Sequence, residues 1–245
     1  MAAKYELGLL VIIKNERMVI REFIEHYKWQ GVEHFYVIDN GSNDNTKEIL
    51  DPYIEQGIMT YEHLGTPHRQ THHYNYMFGK YGKECDWLII CDADEYIYAR
   101  CDGKNIRDEL RVIGQDVSAV TLSWKMFASN GHIEQPPCIR TGFTKRGSVL
   151  SQCFKSIVRT KYVARLDVHE HRVTQGRRLH DPDCLALNHY AIMSWEYFEK
   201  VKMTRGDVLN SKTDNHRNRA YFEAYDKYSD VDDMELSNLL INQRS

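Results

Sequence analysis

The run Trp87-Leu88-Ile89-Ile90-Cys91 constrains this chain more than any other segment. It is apolar, bounded by Asp86 and Asp92, and too short for a buried helix, so it reads as a strand buried on both faces. The run continues into Asp92-Ala93-Asp94-Glu95. Strand side chains alternate with period two, so Asp92 and Asp94 should leave the strand end on one side and Glu95 on the other. Two carboxylates converging there repel unless a cation or a proton lies between them. Hard oxygen ligands of this kind suit Mg²⁺ or Mn²⁺, which keep open positions for substrate phosphates. An isolated D-x-D is also compatible with a solvated acidic turn, so its weight depends on the rest of the chain.

The flanking segments alternate. Gly8 to Ile13 is a β-type run that stops at Lys14-Asn15-Glu16. Val19, Ile20, Phe23, Ile24 and Tyr27 then recur at helical spacing, with Gly31 as the stop. His34 to Ile38 is a strand ending at Asp39-Asn40-Gly41-Ser42-Asn43-Asp44. A helix follows that Asp44 or Asn45 can cap, Glu48 completing a box with Asn45, and Pro52 limits it. Ile58 to Tyr61 is a third strand, and a helix from about Pro67 to Tyr81 feeds the D-x-D strand. This order implies right-handed crossovers and a largely parallel sheet covered on both faces. Ligands of such sheets sit at the carboxyl ends of the strands, where Lys14, Asp39 and Asp92/Asp94 all fall.

Beyond the D-x-D the pattern loosens. Val117 to Trp124, Phe154 to Arg159 and Tyr162 to Val173 read as strands, Phe127 to His132 as a loop, and Leu185 to Leu187 as a run into Asn188-His189-Tyr190. Ser194 caps a helix through about Val208. The last 35 residues are polar, with an acidic run from Asp230 to Glu235, and read as peripheral helices without chemistry. The organisation expected is one α/β domain over 1–210, with a nucleotide-binding half 1–98, an irregular antiparallel acceptor half 99–210 and a tail 211–245.

Composition narrows the function classes. With 32 basic and 35 acidic residues the net charge is −3, which carries no nucleic-acid signature. No apolar run reaches the roughly 18 residues of a membrane span. Met1-Ala2-Ala3-Lys4-Tyr5-Glu6 lacks a secretory h-region, and the six cysteines form no C-x-x-C pair or disulfide framework, so a cytoplasmic protein with reduced thiols is expected. The absence of G-x-G-x-x-G and of G-x-x-x-x-G-K-S/T argues against dinucleotide oxidoreductases and P-loop NTPases.

Several ordered motifs carry a family resemblance. Lys14-Asn15-Glu16, Glu22-Phe23, His26-Tyr27, Gly31-Val32 and Asp39-Asn40-Gly41-Ser42-x-Asp44 resemble the start of GT-A glycosyltransferases, most closely the family-2-like and family-92-like (DUF23-type) branch. The likeness continues through Asp86-Trp87, Asp94-Glu95-Tyr96 and Trp124-x-x-Phe127-x-Ser129-x-Gly131-His132. It ends with Lys155-x-Ile157-Val158-Arg159, Val168-His169, and His189-Tyr190 followed by Ser194, Phe198, Lys200 and Gly206. Ala128 stands where the family usually has Gly. Golgi members carry an amino-terminal anchor, and this chain resembles a soluble version.

The resemblance implies a GT-A, Rossmann-like α/β fold and transfer of a sugar from a nucleotide-diphosphate sugar, UDP favoured, to a hydroxyl of a glycan or glycoconjugate, with inversion and with Mn²⁺ or Mg²⁺. It implies that Lys14, Asn15, Glu16 and Asp39 hold the nucleotide, although Asp39 would serve equally to organise its turn. Asp92 and Asp94 become the metal pair, completed by His169 or His189, with His189 slightly preferred. His169 and His171 should alternate onto one strand face. Arg69, Gln70 and Asn75 can contact the nucleotide or simply face solvent, and among Lys200, Lys202 and Arg205 the family pattern marks Lys200 for the diphosphate. Asp167, Glu170 and Glu134 are the candidates for the base that deprotonates the acceptor. Trp124, Phe127 and Tyr190 can face sugar rings or fill the core. The alternatives are a metal-dependent hydrolase or nucleotidyltransferase on the same groups, and a non-catalytic nucleotide- or carbohydrate-binding module.

Overall fold

The computed structural model describes residues 3–205 and 217–243. Its first half alternates as expected: β1 (Tyr5–Ile13), α1 (Ile20–Trp29), β2 (His34–Asp39), α2 (Thr46–Glu55), β3 (Met59–His63), α3 (Gln70–Tyr81) and β4 (Cys85–Ile90). Then come β5 (Glu95–Ala99), α4 (Ile106–Arg111), β6 (Val117–Ser123), β7 (Lys125–Met126), α5 (Ile139–Gly142) and β8 (Lys145–Arg146). The later elements are β9 (Phe154–Arg159), β10 (Val163–Arg165), β11 (Arg172–Val173), β12 (Arg177–His180), β13 (Leu185–His189), α6 (Trp195–Lys200), α7 (Arg219–Asp226), β14 (Val231–Asp232) and α8 (Glu235–Gln243).

The seven-stranded sheet has the order β12-β6-β9-β4-β1-β2-β3. β1 pairs in parallel with β2 and β4, β2 with β3, and β12 with β6, whereas β9 runs against both β4 and β6. The sheet is therefore largely parallel with one reversed strand, β9, wedged beside the D-x-D strand. A second sheet, β5-β13-β7, pairs His189 with both Glu95 and Met126 and so carries His189 to the D-x-D turn. Both faces of the main sheet are covered. Leu7, Leu9, Val11, Phe35, Val37 and Ile89 pack with α1 on one face, and Leu10, Ile38, Leu88 and Ile90 pack with Tyr74 and Met77 of α3 on the other.

Several boundaries differ from expectation for identifiable reasons. Pro52 lies inside α2 instead of limiting it, and the Asn45 side chain makes no cap. Asp44 takes that role, accepting from the Thr46 amide (3.0 Å) and from its hydroxyl. The stretch from Tyr162 to Val173 is not one strand. It is a short β10–β11 hairpin around an irregular loop, so His169 and His171 share no strand face. The helix capped by Ser194, which accepts from the Tyr197 amide, ends at Lys200 and gives way to a 3₁₀ turn at Lys202–Thr204. Val208 and Gly206 lie outside the described residues. The tail is not peripheral: Phe222, Leu236 and Leu240 are buried, and Glu235 receives hydrogen bonds from Lys125, Tyr98 and Arg100.

Candidate active site

A cavity of about 410 Å³ opens at the carboxyl ends of β1 and β4. Ile12, Ile13, Lys14 and Glu16 line it from the end of β1, and Asn40 from that of β2. Pro67, His68 and Gln70 approach from the start of α3, and Asp92, Ala93 and Asp94 from the turn after β4. Trp124, Val168, His169, His189 and Ala191 form the opposite wall. Lys202, Arg205, Arg217, Tyr221 and Tyr225 complete it from the chain's last quarter.

The D-x-D pair meets as expected, by a different route. The strand ends at Ile90, and a turn closed by the Glu95 amide on the Asp92 carbonyl (3.1 Å) carries both aspartates. Glu95 does not point away. It folds back to accept from the Asp92 amide (2.8 Å) and sits fully buried with one oxygen unpartnered. Burial, reinforced by the two aspartates, raises its carboxyl well above the usual range.

Each aspartate faces a buried lysine. Lys155, with 0% of its surface exposed, reaches Asp92 from β9 at 2.9 Å and also donates to the Val168 carbonyl. Lys202, 2% exposed, donates to Asp94 from the 3₁₀ turn. Burial alone would raise the Asp94 carboxyl, but Lys202 and then His189 override it and hold it well below the usual carboxylate range. His189 lies 3.7 Å from Asp94, its Nδ1 buried without a partner and its ring 4.2 Å from that of Trp124. His169 packs on Trp124 as well (5.5 Å), with Nδ1 facing the Phe154 carbonyl at 3.3 Å. Burial first, and Lys155 second, lower its pKa. The third histidine, His171, is structural: its Nδ1 accepts from the Asp167 amide, and burial brings its pKa to about 3.

Among the described residues no three His, Cys, Asp or Glu side chains stand preassembled at metal-binding spacing. The donor set nevertheless fits a hard divalent cation. Lys155 takes only Oδ2 of Asp92, whose Oδ1 meets just Gln70 at 3.5 Å, and Lys202 takes only Oδ2 of Asp94. Each aspartate thus keeps one oxygen that no lysine holds, and His189 lies 3.7 Å from the lysine-bound oxygen of Asp94, a set of oxygen and imidazole ligands that such ions accept.

The remaining expectations divide. Lys14 and Gln70 line the cavity. Glu16 also lines it, but its carboxylate is held by Arg205 and by the Tyr197 hydroxyl (2.7 Å), so it anchors a cation at the wall. Asn15, with φ +56°, joins two loops through Ser42 and Asn43, and Asp39 accepts from the Ser42 amide and the Tyr61 hydroxyl; both organise the turns and leave Asn40 at the cavity. Arg69 lies in a neighbouring groove, and Asn75 ties α3 to Leu166.

Lys200 is corrected outright: it is exposed and pairs with Glu196 one turn away, while Lys202 and Arg205 reach the cavity. The 3₁₀ turn after Lys200 changes the angular relation on which a continuous helix depended. None of Asp167, Glu170 and Glu134 lines the cavity. All three are exposed; Asp167 accepts from the adjacent Val168 amide and Glu170 lies near Arg178. Trp124 faces the cavity, whereas Phe127 and Tyr190 are core.

Sequence reasoning missed Lys155 and the pair Tyr221/Tyr225. A lysine in the apolar run Phe154-Lys155-Ser156-Ile157-Val158 was a legible signal, since lysine is almost never fully buried unless paired. The tyrosines, stacked at 4.5 Å, follow a helical i, i+4 spacing that marks a face without naming its neighbour.

The family model described as Glycosyltransferase family 92 matches residues 13–229. A family 92 protein of Ricinus communis is 28% identical over 221 residues, covering 82% of this chain and 37% of that protein. One from Arabidopsis thaliana is 23% identical over 219 residues, covering 82% and 38%. This chain thus spans less than two-fifths of the length of these relatives. The crystal structure of S. aureus TarS 1–349 in complex with UDP-GlcNAc aligns at a TM-score of 0.50 and 14% identity, covering 97% of this chain and 71% of that one. That likeness is one of fold, the GT-A type.

Proposed function

The chain belongs to glycosyltransferase family 92, and from that premise we propose that it moves a sugar from a UDP-sugar to a hydroxyl of a carbohydrate acceptor with inversion. The charge inventory of the cavity carries this reading. Among the described residues its three carboxylates are each matched, Glu16 by Arg205, Asp92 by Lys155 and Asp94 by Lys202. Lys14 and Arg217 also line it and form no ion pair among the described residues. A cavity with two cations that no described carboxylate compensates, at the carboxyl ends of parallel strands, favours a polyanion such as a diphosphate. Uridine is the proposed base because a protein of the same fold is solved with UDP-GlcNAc.

A divalent cation, Mn²⁺ or Mg²⁺, held at Asp92 and Asp94 with His189 beside them, would supply further neutralisation of the diphosphate oxygens. The chain's own groups do the rest. Lys14, Lys202, Arg205 and Arg217 stabilise negative charge as the nucleotide departs. Trp124 closes the wall against water, and its ring holds both cavity histidines in position. Proton acceptance falls to His169. A tautomer that donates from Nδ1 to the Phe154 carbonyl leaves the Nε2 lone pair free, and burial keeps the ring neutral at pH 7.

The test is UDP release from UDP-sugars with and without carbohydrate acceptors, each in Mn²⁺ and in EDTA. Transfer predicts release that needs an acceptor. Equal release in water alone would make the protein a hydrolase, and equal rates in EDTA would remove the cation.

A further inference from the structure

A second depression of about 550 Å³ adjoins the donor cavity, and His68 and Gln70 line both. Its other walls among the described residues are Arg69, Thr71, His72, Asn75, Ala164 and Arg165, with no carboxylate among them. The side chains of Arg69 and Arg165 are exposed and make no ion pair or hydrogen bond among the described residues. This concentration of cationic groups is notable in a chain whose net charge is −3. The β10–β11 register adds to it by setting Arg165 directly opposite Arg172. Like charges facing across a hairpin destabilise it. An anion bound at Arg165 would relieve that repulsion.

The groove is also built to keep its shape. The Asn75 amide donates to the Leu166 carbonyl (2.8 Å) and its oxygen accepts from the Leu166 amide (3.0 Å), which fixes the α3 wall to the end of β10. Asp167, two residues beyond Arg165, turns to the adjacent Val168 amide at 2.8 Å and lies outside the lining.

We propose that this groove is an acceptor subsite for an acidic substituent, a phosphate or a carboxylate carried by the sugar that receives the transferred unit. The assignment rests on the donor reading of the adjoining cavity. An acidic group clamped by Arg69 and Arg165 would lie next to that cavity, and a hydroxyl of the same sugar could then enter past Gln70. Arginine suits either anion, because its planar fork donates two parallel hydrogen bonds to both.

Calorimetric titration of glucose 6-phosphate, glucuronate and glucose tests the proposal, with and without saturating UDP, on the wild-type protein and on R69A/R165A. At least one acidic sugar should bind tenfold or more tightly than glucose, and which one identifies the substituent. The double variant should erase that preference while the Kd for UDP moves less than twofold. Acidic sugars that bind no better than glucose would overturn the subsite. An equal loss of UDP affinity in the variant would instead assign the arginines to the donor. Failure of UDP to bind the wild-type protein would refute the donor reading alone, since the acidic-sugar preference is also measured without it.

Discussion

Lys200 and Lys202 stand two positions apart and have opposite fates, one in solvent against Glu196 and one buried against Asp94. Replacing Lys202 by Met strands a buried carboxylate, and breaking a buried pair in this way costs about 3–5 kcal/mol. Urea unfolding should register that loss, and adding Asp94→Asn should recover most of it. Lys200→Ala should leave stability within about 0.5 kcal/mol and UDP affinity unchanged within twofold. At the opposite wall, His169→Asn should lower kcat at least 100-fold with the donor KM held, because a positioned base contributes about 10²–10⁴. A matching loss of UDP affinity in calorimetry would make His169 part of the donor site instead. The sequence exposed the residue types at this scale but not their partners. The D-x-D was legible as a carboxylate pair at the end of a buried run, although a turn and not strand alternation brings the two together, and Lys155 could have been. That Lys202 and not Lys200 turns inward depends on where α6 ends, which no local spacing encodes.

The element that local pattern described least well is α7. Its Arg219–Asp226 sequence reads as a polar amphipathic helix, yet it brings Tyr221 and Tyr225 to the cavity and Asp226 to the Ser129 amide at 2.8 Å. Tyr221→Ala should therefore reduce kcat/KM at least tenfold, about 1.4 kcal/mol. Tyr228→Ala, an exposed tyrosine just past the same helix, should change it less than twofold in the same assay. By contrast, β9 is legible to the residue, Phe154 to Arg159, because Phe154, Ile157 and Val158 mark it as a strand. What the run conceals is its direction. β9 is antiparallel to β4, a property of pairing between residues 66 to 72 positions apart, and only that pairing sets Lys155 against Asp92.

Across the whole molecule, buried neutral histidines set the response to acid. Burial, with Arg140 nearby, holds His26 well below its ordinary pKa, and burial with Lys155 and Arg178 takes His171 to about 3. Below about pH 6.5 the unfolded chain binds protons at these sites and the folded one does not, so stability falls as pH drops from there towards the folded values. Chemical denaturation should show a loss of about 2–3 kcal/mol between pH 7 and pH 5.5 from the two together. The depressed Asp94 carboxyl acts lower, its contribution present above about pH 4 and lost as pH falls further. The clamp made by Glu235 has a different consequence, one of timing. It joins Tyr98, Arg100 and Lys125 to a residue 110 to 137 positions later, and α7 reaches the cavity from a similar distance along the chain. On the ribosome the Rossmann-like half emerges first, so its cavity stays one wall short until α7 has followed it out. A chain stopped near residue 200 would hold most of the sheet and present an open, unclamped acidic turn. Premature termination would thus yield a protein that is extensively folded and inert.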